Sequence, residues 1–528
     1  MKLEILIVSR CWLLLDFIGI LAPTRIKNLP SVPGYPIVGN LFQVLSNPAE
    51  RYMKWAKTHG DVVQMRLGTR MVVVANSYDS VKELWIKNRD ANNSRPILYT
   101  FHSVVSKTQG FTIGTTPYGE SYKKKKKIVA TSLNRKMVEE LRGLISDECT
   151  NMFKRIEVQR DLIEHHSKDK DIDLFKLLQG FVLRVSLYIT YGYLVKVEHS
   201  DKCKLFDEIT HVENIIVRLR GHSSNLQDYL PILRFIPFGK KTEMANNFRD
   251  RRDIYMAKFI NGLKEKMLNG EDYEESIVSK ALRGCPEFPQ VTEDELKSVC
   301  LTMVSAGLDN TPLVLNHILG HLSQPTTGAA MQEVAVTEIL KQYGDLETAY
   351  NECCAEYKVD YVEALLKEGL RYFSVLPTSL PRATSKDIIY RDAVIPKGTI
   401  MFMNAFAANH DTRHFENPYY FEPLRYLDAD KKLKVMEEGT NLFTFGAGSR
   451  MCAGSHLAMK EMYVALTRLL ILYKIEPPLD RNNLMELNPF KLNSIPDSVA
   501  IEPFEFKVRL KVRDQKTFQR LVGVEPLI

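Results

Sequence analysis

The sequence predicts an α+β protein, mainly α, with small β-sheets near each end of a helix-rich body. Residues 61–76 ("DVVQMRLGTRMVVVAN") read as two β-branched strands around a Gly-Thr turn. From about residue 120 to 325 the apolar spacing is mostly helical. After residue 376 it shortens to strand-like segments such as "DIIYRD" and "GTIMFMN", and the alternating stretch 498–513 predicts a terminal strand pair.

Composition places the 528-residue chain among globular proteins with a large core. Hydrophobic residues make up 45% and charged residues 26%, and this composition excludes a chain that is mainly disordered. The net charge of +7 is spread out except for "KKKKK" at 123–127, so nucleic-acid binding is not indicated. Eight cysteines without a CxxC pair argue against a disulfide scaffold or zinc site and favour reduced, cytosol-facing thiols.

The N-terminus predicts a membrane anchor over residues 1–22, followed by a basic, proline-rich hinge over 23–40 and a single catalytic domain over 41–528. Residues 5–22 are apolar except for Arg10 and Asp16, and 18 residues is near the lower limit for crossing a bilayer. The anchor is therefore imperfect, and a buried N-terminal helix is the alternative. Basic residues directly after the anchor predict the following chain on the cytosolic side.

A long central helix is predicted to begin at a capping box formed by Thr292 and Glu295. Its apolar spacing continues to about Leu322, far enough to cross a whole domain. Pro312 cannot donate to the carbonyl of Leu308, which predicts a kink in mid-helix.

The residues around that kink suggest a functional distortion. Gly307 would let a flat group approach the backbone, and Asp309, Asn310 and Thr311 add three polar side chains. A proline kink without function is the alternative reading.

A glycine-rich loop runs into an apolar helix at residues 443–473, "FTFGAGSRMCAGSHLAMKEMYVALTRLLILY". Cys452 lies where a helix N-terminus is expected to lower the pKa of its thiol. The flanking glycines leave room for a large planar ligand, whose anionic group Arg450 can reach. A dinucleotide-binding reading of "GAG" fails because no βαβ fingerprint surrounds it.

Glu368 and Arg371 stand three residues apart on one predicted helix face and can form a charge-assisted pair. An ExxR motif alone is usually a surface pair. The following "FEPLRY" adds Arg425, which could complete a buried network.

The ordered set of A-G-x-D, E-x-x-R, F-x-P-x-R-Y and F-x-x-G-x-R-x-C-x-G resembles cytochrome P-450 from the proline-rich segment onward. The resemblance implies the cytochrome P-450 fold and haem b, with Cys452 as the axial thiolate ligand of the iron, a ligand that favours O–O cleavage. It also implies a set of cofactor-binding residues and a folding network: Phe445, Gly446 and Gly454 in the cofactor loop, Arg450 and Arg382 at the haem propionates, and Glu368, Arg371 and Arg425 in the network.

The resemblance places Asp309, Asn310 and Thr311 in the oxygen-binding groove, where polar groups relay protons. The family usually has threonine where this chain has Asn310. Asparagine can donate and accept hydrogen bonds but supplies no hydroxyl. Two outcomes are open: Thr311 or substrate groups substitute for the missing hydroxyl, or proton delivery is altered in favour of desaturation or another less usual oxidation.

A second departure lies in "PYGESYKKKKK", where Tyr122 and Lys126 replace the family's tryptophan and arginine. Both side chains can donate to a propionate. The neighbouring lysines suit docking of an acidic NADPH-cytochrome P-450 reductase, with solvated surface as the alternative.

Three segments, "FMNAFAANHDTRHFENP", "VLPTSLPRA" and "FGAGSRMCAGSHLA", are similar to the fungal phenylacetate and hydroxyphenylacetate hydroxylases. This implies a monooxygenase that oxidises a small aromatic or aromatic-amino-acid-derived compound with O2 and NADPH-derived electrons at the endoplasmic reticulum membrane. A tailoring step in fungal secondary metabolism is the first hypothesis and phenylacetate-type ring hydroxylation the second. A haem-thiolate isomerase or a non-catalytic ligand carrier is the alternative of a different class.

Overall fold

The structure, a computed structural model, describes residues 23–166, 170–194, 204–221, 225–235, 239–434 and 442–524. The predicted anchor at 1–22 lies outside the described residues. The described chain is mainly α-helical with three small sheets, as the sequence predicts.

Sixteen α-helices are found in the described part of the chain. In chain order they are α1 (Pro48–His59), α2 (Tyr78–Val81), α3 (Glu120–Ser132), α4 (Arg135–Glu140), α5 (Arg142–His166), α6 (Phe175–Tyr191), α7 (Lys204–Arg218), α8 (Gly239–Asn269), α9 (Ile277–Leu282), α10 (Glu293–Leu322), α11 (Thr327–Tyr343), α12 (Leu346–Glu352), α13 (Asp360–Tyr372), α14 (Ala405–Asn409), α15 (Ser455–Leu472) and α16 (Gln515–Val522). Two π-helical segments, Lys82–Lys87 and Tyr99–Val105, lie between α2 and α3.

The main sheet has four strands in the order β1-β2-β6-β3. The pair β2 and β6 is parallel, and the other neighbours are antiparallel. The remaining strands form two antiparallel pairs, β4 with β5 and β7 with β8. The strands are β1 (Val62–Leu67), β2 (Arg70–Ala75), β3 (Arg382–Ala383), β4 (Ile388–Tyr390), β5 (Ala393–Ile395), β6 (Ile400–Met403), β7 (Tyr473–Glu476) and β8 (Arg509–Val512).

Helix α10 forms the centre of the helical body and packs against α6, α11, α13 and α15. The Thr292 hydroxyl and the Glu295 side chain form the predicted capping box. The helix runs unbroken through Pro312 to Leu322, so the proline removes one backbone hydrogen bond without ending the helix. Within the described residues it is also the one helix long and apolar enough to cross a membrane, and 78% of its most apolar stretch is buried, as in a core helix.

The predicted terminal strand pair within residues 498–513 is wrong. Only β8 forms there, and its partner is β7 at the end of α15, with Tyr473 opposite Val512. Pro503 has no N–H to donate to a ladder. The apolar residues before it, such as Val499 and Ile501, are buried in the main core instead.

The proline-rich segment 23–40 lies against the edge of the main sheet. The Gln64 side chain accepts from the backbone N–H of Ile26 at 2.8 Å and donates to the carbonyls of Ile26 and Leu29, each at 2.7 Å. Ile26, Leu29 and Val32 are buried. From Ile26 onward the segment is therefore fixed to β1 by side-chain bonds and apolar packing.

Candidate functional site

A cavity of about 300 Å³ lies between the middle of α10 and the loop that precedes α15. Ala306, Asn310 and Thr311 line it on the α10 side, and Cys452 and Gly454 line it on the loop side. The fold therefore brings to one place the two segments that the sequence analysis identified separately.

The loop before α15 is closed by its own backbone. The N–H of Cys452 donates to the carbonyl of Phe445 at 2.9 Å, and Gly446 between them takes a φ of 74°. A β-carbon at Gly454 would lie 3.9 Å from the sulfur of Cys452, so this glycine keeps the space beside the sulfur open. The six cysteines that the structure describes are all free thiols, and Cys452 is the one that lines this cavity.

The expected lowering of the Cys452 pKa is wrong for the protein alone. Burial raises the pKa of this thiol, and the backbone N–H of Gly454 offsets only part of the effect. Helix α15 begins at Ser455, and its N-terminal field does not outweigh the desolvation. A thiol that coordinates a metal ion is deprotonated outright, so a metal ion bound by Cys452 would reverse this effect.

Three buried arginines, Arg95, Arg382 and Arg450, line one edge of the cavity. Each guanidinium donates to backbone carbonyls. Arg95 donates to Leu380 at 2.6 Å and Pro381 at 2.7 Å, and Arg382 donates to Asn92 at 2.9 Å and to Ala447. Arg450 donates to Asn93 at 2.6 Å, Thr116 at 2.8 Å and Ile113 at 3.3 Å. The three cations are therefore rigidly placed.

No carboxylate of the described residues pairs with these arginines. Burial lowers the pKa of Arg95 to about 9 and that of Arg450 to about 10. Burial, together with repulsion from Arg95 and Arg450, holds the pKa of Arg382 well below its ordinary value. The Nε of Arg95 is buried without a partner. Such a cluster fits a ligand that brings its own negative charges.

Tyr122 and Lys126 stand at the same edge. The Tyr122 hydroxyl and the Lys126 ammonium both donate to the carbonyl of Ser449, at 3.2 Å and 2.7 Å. The guanidinium of Arg450 lies 3.4 Å from the centre of the Tyr122 ring. Tyr122 and Lys126 therefore belong to the same edge of the cavity as Arg95, Arg382 and Arg450.

The lysine run is not one solvated surface. Lys125 is buried and donates to the Phe111 carbonyl at 3.1 Å and the Thr116 hydroxyl at 3.2 Å. Lys123 and Lys127 are exposed. Only part of the run is therefore free to meet a partner.

These features fit haem b. Cys452 offers one axial ligand, Gly446 and Gly454 leave space over the loop, and Arg95, Arg382 and Arg450 match two propionates. The orphaned Nε of Arg95 is the clearest sign of the fit, because an unpaired buried guanidinium nitrogen is costly without a ligand.

On the opposite wall, Asn310 and Thr311 line the cavity. The Asn310 amide donates to the Ala306 carbonyl one turn earlier, at 3.0 Å. Gly307 lines the cavity and also packs against α6. A β-carbon there would lie 2.6 Å from the Ser186 hydroxyl on α6, so this glycine permits close packing of two helices.

Asp309 points away from the cavity, between α6 and α7. Its Oδ1 accepts from the Gln179 amide at 2.8 Å. With its amide oriented to donate, Asn214 reaches the same oxygen at 2.9 Å. Burial raises the pKa of Asp309 to about 7, against the lowering effect of the Gln179 hydrogen bond. This carboxyl therefore titrates near neutrality.

The network around Glu368 is present and buried. Arg371 donates to Glu368 through two nitrogens, at 2.8 Å and 2.7 Å, and both side chains are fully buried. Arg425 donates to the same carboxylate at 3.1 Å. Arg371 also donates to the carbonyls of Asn409 and Pro418, which ties α13 to the segment after α14.

Sequence reasoning missed Arg95 and Gln179. Arg95 precedes a proline in an irregular segment, and Gln179 stands within an apolar helix; neither belongs to a motif. A polar residue within the apolar run Leu177–Leu183 was the available signal for Gln179.

Comparison with known proteins agrees with this geometry. The cytochrome P-450 family model matches residues 29–501. Phenylacetate 2-hydroxylase from Emericella nidulans is 42% identical over 93% of this chain and 91% of its own. The 3-hydroxyphenylacetate 6-hydroxylase of the same organism is 36% identical over 94% and 90% of the two chains. A cytochrome P-450 monooxygenase of Mycosarcoma maydis is 33% identical over 94% and 89%. With its cysteine loop, buried arginines and polar central helix, the chain belongs to the cytochrome P-450 family of haem-thiolate monooxygenases.

Proposed function

We propose that this monooxygenase hydroxylates the ring of a small aromatic acid of the phenylacetate type. One oxygen atom of O2 enters a C–H bond, and the other leaves as water with two protons and two electrons derived from NADPH. The observation that carries the proposal is the single cavity in which the Cys452 sulfur faces the polar segment of α10. The names of the two Emericella relatives support the aromatic acid as substrate.

The bound haem supplies the activation of O2, and the chain's own residues hold and orient the reactants. Cys452 would hold the haem through its thiolate, and Arg95, Arg382 and Arg450 would orient the cofactor by pairing with its propionates. Asn310 and Thr311 present an amide and a hydroxyl to the cavity, where they can hold water in a fixed position. Burial raises the pKa of Asp309 to about 7, so its carboxyl group can release and rebind a proton on the side of α10 that faces away from the cavity.

A tailoring oxidation in secondary metabolism is the second candidate, and Asn310 favours it. An amide in place of the usual hydroxyl alters how protons reach the cavity. This suits desaturation or another less usual oxidation of an aromatic-amino-acid-derived compound.

The electron donor in this proposal is NADPH-cytochrome P-450 reductase. Lys123 and Lys127 are exposed on α3 and offer positive charge to an acidic partner, although Lys123 also pairs with Glu120 at 2.6 Å. The proposed location is the endoplasmic reticulum membrane, held by residues 1–22, with the catalytic domain of residues 41–528 in the cytosol.

A ligand titration that follows the haem Soret band tests the substrate. Phenylacetate and its hydroxy derivatives are compared with aromatic diketopiperazines on purified holoenzyme. A low-spin to high-spin shift with the acids, followed by ring-hydroxylated product with reductase and NADPH, supports the first candidate. A shift with the diketopiperazines alone overturns it in favour of the second.

A further inference from the structure

Five buried arginines of the described residues lie outside the cavity, and Arg468 on α15 differs from the other four. Those four each pair with a carboxylate: Arg160 with Glu157, Arg184 with Glu148, Arg252 with Asp253 and Arg371 with Glu368. Arg468 is 1% exposed, and no carboxylate of the described residues forms an ion pair with it. Because a buried charge is costly without a counter-charge, another group is expected to supply one.

Neutral oxygen atoms satisfy the N–H groups of Arg468. Its Nε donates to the Tyr350 carbonyl at 3.1 Å, and its Nη1 donates to the Ser146 carbonyl at 2.7 Å and the Thr150 hydroxyl at 3.2 Å. Its Nη2 donates to the Ser146 hydroxyl at 2.6 Å. These bonds join α15 to α5 and α12, and they leave the positive charge itself uncancelled.

Three thiols lie around this guanidinium. Against the lowering effect of burial, Cys149, Cys353 and Cys354 raise the pKa of Arg468. Cys149 and Cys353 are fully buried, whereas Cys354 keeps 5% of its surface exposed. Cys354 lies in the turn after α12, directly before the exposed Ala355. It is therefore the thiol of this group that a small reagent can reach.

The groups that face Cys354 favour its ionised form. The Cys353 thiol lowers the pKa of Cys354 against the opposing effect of burial. The charges of Arg468 and Lys460 and the hydroxyl of Ser146 lower this pKa further. Cys354 can therefore supply the negative charge that Arg468 lacks.

The other ionisable groups at this place do not compete for that role. Burial raises the pKa of the Cys149 thiol to about 12 and that of the Tyr350 hydroxyl above its ordinary value, so both stay protonated at neutral pH. The ammonium of Lys460, also on α15, pairs with Glu139 on α4 at 3.0 Å. The buried guanidinium is thus the unbalanced charge.

We propose that Cys354 is held as a thiolate by Arg468 and is a modification site for small electrophiles, hydrogen peroxide among them. The thiolate, not the thiol, is the nucleophile. With peroxide, the Cys354 sulfur attacks one oxygen atom, the O–O bond breaks, hydroxide leaves and the cysteine is oxidised to a sulfenic acid. With iodoacetamide, a carbon–sulfur bond forms and iodide leaves. Neither residue lines the cavity, so the site does not depend on which substrate the enzyme takes.

The test is alkylation of the native holoenzyme with iodoacetamide at pH 6.5, followed by peptide mass spectrometry with fragmentation to separate Cys353 from Cys354. Cys354 should react faster than Cys285, although Cys285 is the more exposed thiol. Ser146→Ala should slow the reaction of Cys354 several-fold. Arg468→Gln should slow it about 10-fold, the change in the thiolate fraction for one pKa unit, and Arg468→Lys should retain most of the wild-type rate. Cys285, the internal control, should react at the same rate in every variant.

Hydrogen peroxide added together with dimedone, which traps a sulfenic acid, should label Cys354 and spare Cys353. The proposal is overturned if Cys354 stays unmodified while Cys285 is alkylated, or if Ser146→Ala and Arg468→Gln both leave its rate unchanged. If the Arg468 variants lose the thiolate-type spectrum of the reduced carbon monoxide complex, Ser146→Ala decides. A slower reaction of Cys354 in that variant supports the proposal, and an unchanged rate overturns it.

Discussion

The Gln179 amide donates to Oδ1 of Asp309 across 2.8 Å and joins α6 to the centre of α10. The bond turns the acid of the family's A-G-x-D motif away from the cavity that its neighbours line. Asp309 therefore lies behind the cavity wall, and we expect Gln179 to influence how readily it releases its proton.

Removing the amide should shift the pH profile. A hydrogen bond to the ionised carboxylate lowers its pKa, so Gln179→Leu should raise the pKa of Asp309 above about 7. The midpoint of the pH dependence of kcat should move to higher pH, and Asp309→Asn should abolish the transition and lower kcat about 10²-fold. Product formation measured from pH 6 to 9 gives the midpoints. An unchanged midpoint in Gln179→Leu would argue against this role.

Arg95 should matter only when the cofactor is bound. Arg95→Leu removes a cation that would face the propionates of bound haem and that repels Arg382 in the haem-free protein. We expect haem loss to an acceptor protein to become several-fold faster, while the melting temperature of the haem-free protein stays the same or rises. A drop in the stability of the haem-free variant would indicate that Arg95 mainly supports the fold.

The buried network should be needed for folding. Glu368→Gln leaves Arg371 buried beside an uncharged partner, which typically costs about 3–5 kcal/mol of the free energy of unfolding. The yield of haem-loaded protein should fall sharply in expression trials. Glu50→Gln breaks the exposed Lys54–Glu50 pair and should cost about 0–1 kcal/mol. Similar yields for both variants would contradict the prediction.

Asn310 should control how tightly NADPH consumption is coupled to product formation. Asn310→Ala removes the amide that lines the cavity and bonds the Ala306 carbonyl, so several-fold less product should form per NADPH consumed, with more hydrogen peroxide released. Asn310→Thr restores a polar group and should remain close to wild type. Product and peroxide are quantified together against NADPH consumption. Full coupling in Asn310→Ala would exclude this function for the amide.

Three buried histidines should make the fold sensitive to acid. Burial lowers the pKa of His321 and His410 to about 3 and that of His317 well below its ordinary value. Below about pH 6.5 these histidines are protonated in the unfolded chain but stay neutral in the folded protein. The free energy of unfolding should therefore fall by about 1.4 kcal/mol per pH unit for each histidine. His321→Phe should reduce this slope, whereas Phe373→Leu, a packing control, should lower stability equally at all pH values. Urea titrations from pH 7.5 to 5 measure both.

The cysteine loop could be predicted because its information is local. Phe445, Cys452 and Gly454 lie within ten residues, and their contacts form inside the loop. Arg95 could not be predicted, because it meets the cavity through the Leu380 carbonyl, 285 residues away in the chain. The pairing of β8 was missed for the same reason. Alternation along 498–513 predicts strand character but says nothing about whether a distant strand is the partner.

Gly307 and Ser186 constrain each other in any variant of this enzyme. A β-carbon at 307 would lie 2.6 Å from the Ser186 hydroxyl and 3.8 Å from the Ser186 β-carbon, so the hydroxyl has to turn away to admit a methyl group. The effect of Gly307→Ala therefore depends on residue 186, and Ser186→Gly should relieve it. Libraries that diversify this part of α10 should vary the two positions as a pair, since the group at 186 sets how large a side chain position 307 admits.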